Sequence, residues 1–169
     1  MTNKDRVYFD SCCFIDMVKV DLGKDDLSIS EDRKKDVWFL RRLSDAAFNN
    51  DIEIITSTLT IAECLHVGDG QMNDEGKEQI SADPFVSEMA RDLHWKNNIL
   101  LRGADLIHIA SAMFTDCKEF ITTDDRITKQ QKFIDALPEI RNLGLKVIRA
   151  SESKILPNSY RQGDFKDEI

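Results

Sequence analysis

A chain of 169 residues, 41% of them hydrophobic, can bury one real core and is too short for two ordinary domains. Its net charge of −8 argues, taken alone, against a polyanionic partner unless some of the acids hold divalent cations. The charged start "MTNKDRVYFD" lacks the layout of a signal peptide, and no apolar run nears the ~20 residues of a membrane span. A soluble, cytoplasmic protein with no membrane contact is expected.

"RVYFD" (6–10) reads as a short buried strand ending in an acid. A helix follows from Ser11, which can cap it. Residues 25–34 read as a polar link. Residues 31–50 form an amphipathic helix, with Val37, Leu40, Leu43, Ala47 and Phe48 at helical spacing. "IEIIT" (52–56) is a second strand, and 57–67 a helix opened by Ser57 or Thr58. The polar stretch 68–83 reads as an exposed connection, and Pro84 opens a helix to about Leu93. "GADLIHIASAMFTDC" (103–117) has apolar or small residues on nearly every side and predicts a buried helix. "EFITT" (119–123), a helix over 124–137 and "LKVI" (145–148) complete the pattern, and from Ala150 onward the chain reads as a loose polar tail. The division is thus one domain over 1–149 and a tail over 150–169.

Strands alternate with helices, which predicts a three-layer α/β/α sandwich around a parallel sheet of four or five strands. Ligands of such sheets bind at the carboxyl ends of the strands. Asp10 and Asp124 end strands, Glu63 follows the second strand by about two helical turns, and Asp105 opens the buried helix. Each has a plainer reading. Asp10 can be a turn residue. Glu63 can close a capping box with Thr60, although Ser57 or Thr58 caps that helix better. Asp105 can be a first-turn acid favoured by the helix dipole. Together on one edge, however, four acids would repel one another unless a counter-charge lay among them. Carboxylate oxygens suit hard cations, here one or two Mg²⁺ or Mn²⁺ ions, and such ions favour attack of water on a phosphodiester.

Four stretches in order, "VYFDS", "IITSTLTIAE", "GADLIHIASA" and "FITTDD", resemble the PIN-domain ribonucleases, above all the VapC-like toxins of bacterial toxin–antitoxin pairs. The resemblance covers residues 6–149. It implies a PIN-like fold and metal-dependent endonucleolytic hydrolysis of RNA. Asp10, Glu63, Asp105 and Asp124 become the metal-binding, catalytic acids, supported by Ser11 and Thr122. Asp124 is the acid of the T-x-D pattern, and Asp125 falls where the family varies. The resemblance also implies an antitoxin partner and a homodimer. The long 66–83 connection and the tail depart from compact toxins. Arg102, Arg126 and Lys129 lie beside the motifs and can contact RNA phosphate, or be ordinary surface charges. His108, one turn beyond Asp105, reads as a packed core histidine rather than a proton-transfer group, Trp38 and Trp95 as core rather than stacking platforms, and Cys12, Cys13, Cys64 and Cys117 as reduced, buried residues. A PIN-like module that binds RNA or protein without cutting is the competing reading. A dehalogenase-like phosphatase fits poorly, because "DSCCF" lacks the D-x-D-x-T pattern.

Overall fold

A computed structural model describes residues 4–21, 30–64, 77–80 and 83–163. The chain runs β1 (Arg6–Phe9), α1 (Ser11–Asp21), α2 (Glu31–Phe48), β2 (Glu53–Ser57), α3 (Thr58–Glu63) and β3 (Lys77–Ile80). It continues through α4 (Pro84–Trp95), α5 (Gly103–Phe114), β4 (Glu119–Ile121), α6 (Arg126–Lys129), α7 (Gln131–Asn142) and β5 (Lys146–Ile148). Two 3-10 turns follow, at Ala150–Glu152 and Asn158–Arg161.

The strands form one parallel sheet in the order β3-β2-β1-β4-β5. Side chains alternate across it, as period-two strands require. Tyr8, Ile55 and Phe120 enter one core with Val86, Leu106, Ile109 and Ile140 of α4, α5 and α7. Val7, Phe9, Ile54 and Ile121 enter the other with Phe14, Leu40 and Leu43 of α1 and α2. Helices on both faces give the expected three-layer α/β/α sandwich. Both faces are covered, so the inner strands β1, β2 and β4 read as largely apolar runs. Among the described residues, no helix is long and apolar enough to cross a membrane.

Local chemistry accounts for the helix starts. Ser30 caps α2 by accepting the Arg33 N–H, and Glu31 and Asp32 fill its first turn. Asp83 accepts the Val86 N–H, with Pro84 at the first helical position of α4.

Several expectations need correction. The stretch read as an exposed connection contains strand β3, a polar edge strand paired with β2. The helix expected over 57–67 ends at Glu63, with Cys64 as its cap; 65–67 lie outside the described residues. The helix expected over 124–137 is two, because Gln130 takes an extended conformation (φ −96°, ψ 123°) and separates α6 from α7. Phe48 and Trp95 close α2 and α4, where the apolar stripe has turned away from the core, and are 74% and 77% exposed. Trp38 is buried as expected.

The segment 150–163 is no loose tail. Ala150, Ser153 and Leu156 are buried. Buried Glu119, the first residue of β4, accepts hydrogen bonds from Ser153 Oγ (2.6 Å) and the Lys154 N–H (2.9 Å). Tyr160 donates its hydroxyl to Asp51 (2.7 Å). Two small apolar anchors and one buried carboxylate suffice to fix a segment whose composition is polar.

Candidate functional site

A parallel sheet sends every strand's carboxyl end to one edge, and three of the four acids leave from there. Asp10 directly follows β1, and its backbone N–H donates to the Ile121 carbonyl of β4 (3.1 Å). Its Oδ1 accepts the Ser11 N–H (2.8 Å). Its Oδ2 accepts the Thr122 hydroxyl (2.8 Å). Thr122 Oγ1 also accepts the Asp124 N–H (3.1 Å). One buried hydroxyl thus ties together the ends of β1 and β4. Ser11 and Thr122 thus both hydrogen-bond the Asp10 carboxylate.

Asp10, Asp105 and Asp124 line a single cavity with His108 and Thr122. Asp105 comes from the first turn of α5 and is mostly buried. Burial pushes its carboxyl above the ordinary value; the Arg126 guanidinium opposes this, and the negative charges of Asp10 and Asp124 add to it. Its Oδ2 is buried with no hydrogen-bond partner.

Glu63 joins the cluster through His108. The imidazole Nε2 lies 2.9 Å from Glu63 Oε2 and 4.0 Å from Asp10 Oδ1. Ligand atoms of Asp10, Glu63 and His108 all lie within 4.8 Å of one another. A carboxylate only accepts, so Nε2 carries a proton towards Glu63. Nδ1 lies 2.8 Å from the Tyr8 hydroxyl and 3.2 Å from Ser57 Oγ. Burial raises the Tyr8 phenol far above its ordinary value, so it remains a neutral donor. His108 is buried as the sequence predicts, but it serves as a link to the acids rather than as inert packing. Its spacing, one turn beyond Asp105, was the available signal.

The three candidate cations separate. Arg126 lies among the acids, donating to both Asp124 and Asp105. Arg102 is exposed and lines an adjoining cavity that also borders Asp105. Lys129 pairs instead with Asp125 (2.8 Å). Asp125 is half exposed and also held by Arg149, so the two adjacent acids part company: Asp124 enters the cavity and Asp125 faces the outer ion pairs.

Sequence reasoning missed two supports. Arg33 and Arg149 both donate to the Thr123 carbonyl (3.3 and 3.2 Å). Arg149 is itself held by buried Asp36 (2.7 Å). They clamp the loop that presents Thr122 and Asp124. Half-buried Cys12 touches the site, with Sγ 3.2 Å from Asp10 Oδ2 and accepting the Thr123 N–H. All four cysteines are unbridged, and burial raises the Cys64 and Cys117 thiols to about 11.

Asp10, Glu63 and His108 come close enough to hold a cation, two carboxylates with one imidazole, and beside them one buried carboxylate oxygen, Asp105 Oδ2, lacks a hydrogen-bond partner. The chain matches no protein-family model and no curated protein.

Proposed function

We propose that this protein is a Mg²⁺- or Mn²⁺-dependent endoribonuclease of PIN-like type. The observation that supports it best is the convergence of Asp10, Asp105 and Asp124 on one cavity that holds an unpartnered carboxylate oxygen. Asp10, Asp105 and Asp124 would hold the ion or ions, with Glu63 beside them. A bound divalent cation supplies charge stabilisation for the phosphodiester and lowers the pKa of an attacking water.

The chain's own residues do the rest. Thr122 and the Ser11 N–H fix the Asp10 carboxylate through both its oxygens. His108 holds one oxygen of Glu63, which is one-third exposed, so Glu63 is oriented to accept a proton from water. An acidic protein needs bound cations to hold a polyanion, and these carboxylates would gather them at one edge of the sheet. The toxin role, an antitoxin partner and a homodimer are carried by the family resemblance alone.

The test is cleavage of a labelled RNA with added Mn²⁺, comparing the wild type with Asp10→Asn, Asp124→Asn and Asp125→Asn. The first two should lose activity by about 10²-fold or more, while Asp125→Asn cuts at near the wild-type rate. EDTA should abolish cleavage and Mn²⁺ restore it. RNA bound at saturating Mn²⁺ but never cut would establish the non-cleaving module instead.

A further inference from the structure

Arg126 makes an arrangement that a surface arginine has no need of. Asp105 and Asp124 together have four carboxylate oxygens, and Arg126 engages three of them. Its backbone N–H donates to Asp124 Oδ1 (2.8 Å), its Nε to Asp124 Oδ2 (2.5 Å) and its Nη2 to Asp105 Oδ1 (3.2 Å). The fourth, Asp105 Oδ2, is the buried oxygen without a partner. The guanidinium is two-thirds buried and lies over the Phe133 ring, 5.3 Å from its centroid.

We propose that Arg126 is a tethered counter-cation that occupies the Asp105–Asp124 pair in the metal-free protein and is displaced when a divalent cation binds. This rests on reading the cluster as a Mg²⁺ or Mn²⁺ site. Without a cation the carboxylates would repel one another across a partly buried cavity. A guanidinium relieves that repulsion with a planar fork of donors suited to two carboxylates. It cannot remain there beside a divalent ion, because the two positive charges would meet at a few ångströms in a weakly screened place. Metal and arginine therefore compete for the same oxygens. The leash is short: Arg126 opens α6 only two residues beyond Asp124, so the guanidinium moves aside without leaving the site.

The experiment is calorimetric titration of Mn²⁺ into metal-free full-length wild type, Arg126→Met, Arg126→Lys and Asp10→Asn. Arg126→Met should bind Mn²⁺ about tenfold more tightly, the effect of removing a charged hydrogen-bonded competitor. Arg126→Lys, which keeps the charge but loses the fork, should fall between. Without metal, Arg126→Met should melt below the wild type, and saturating Mn²⁺ should close the gap. Unchanged or weaker Mn²⁺ binding by a natively folded Arg126→Met overturns the proposal. Should that variant not fold, Arg126→Lys decides by the same criterion. Failure of the metal reading looks different: no Mn²⁺ binding by wild type or either Arg126 variant, or binding that Asp10→Asn leaves unchanged, removes the site itself and the latch with it.

Discussion

Replacing Thr122 with valine keeps the shape of a buried side chain and deletes one hydroxyl. That hydroxyl donates to Asp10 Oδ2 at 2.8 Å and accepts the Asp124 N–H at 3.1 Å. The bond to a charged acceptor contributes roughly 1.5–3 kcal/mol, and stranding the Asp124 N–H adds about 1 kcal/mol. Thr122→Val should therefore lose about 2.5–4 kcal/mol in urea denaturation of the metal-free protein. It should also weaken Mn²⁺ binding about 10- to 100-fold in a calorimetric titration, because two candidate ligands lose their orientation. The neighbouring residue is the control. Thr123 is fully buried, and its Oγ1 has no hydrogen-bond partner. Thr123→Val removes an orphaned hydroxyl, so it should be neutral or stabilising by up to about 1 kcal/mol. Equal stability and equal Mn²⁺ affinity in the two variants would refute the assignment of Thr122 as the tie between the strand ends.

Two further outcomes are expected. Burial keeps the Asp105 carboxyl above its ordinary value, so ionising it costs the folded state more than the unfolded chain. That cost is absent below the ordinary carboxylate range and complete above the raised value. Asp105→Asn should thus raise the melting temperature of metal-free protein at pH 7, and the gain should fade on acidification to about pH 3; a gain that grows in acid contradicts the sign. Leu156→Ala opens a cavity at a fully buried position of the C-terminal segment and should cost about 2–5 kcal/mol by chemical denaturation. A loss below about 0.5 kcal/mol would mean that 150–163 is dispensable after all.

Much of the architecture is legible because burial leaves a mark on composition. Val7, Tyr8 and Phe9 announce a covered strand, and "GADLIHIASA" announces a packed helix. Asp10 and Asp124 are legible by their places after strands, which parallel topology turns into neighbourhood, and Asp105 by its place at the head of the buried helix. What stayed hidden depends on polar residues with structural work to do. Strand β3 lies at the sheet edge and its sequence, "KEQI", carries no apolar signal. The C-terminal anchors Ala150 and Leu156 sit in a segment polar overall, and nothing local to Glu119 announces its bonds to Ser153 and Lys154. The partners of His108 and Arg126 are hidden for a different cause. Each lies far along the chain, Glu63 at 45 residues and Asp105 at 21, and no local pattern encodes such a meeting.

The central position of β1 between β2 and β4 sets the order in which the site can come into being. Asp10 belongs to the first strand made, yet its supporting hydroxyl, on Thr122, is 112 residues away in the sequence. Contacts of such separation form late, since the intervening loop must close first. On a ribosome adding about 5–20 residues each second, Asp10 waits roughly 6–20 s for Thr122 to be synthesised. Throughout that interval the Asp10 carboxylate lacks the hydroxyl that fixes its Oδ2, so the two halves of the cavity exist apart before they exist together.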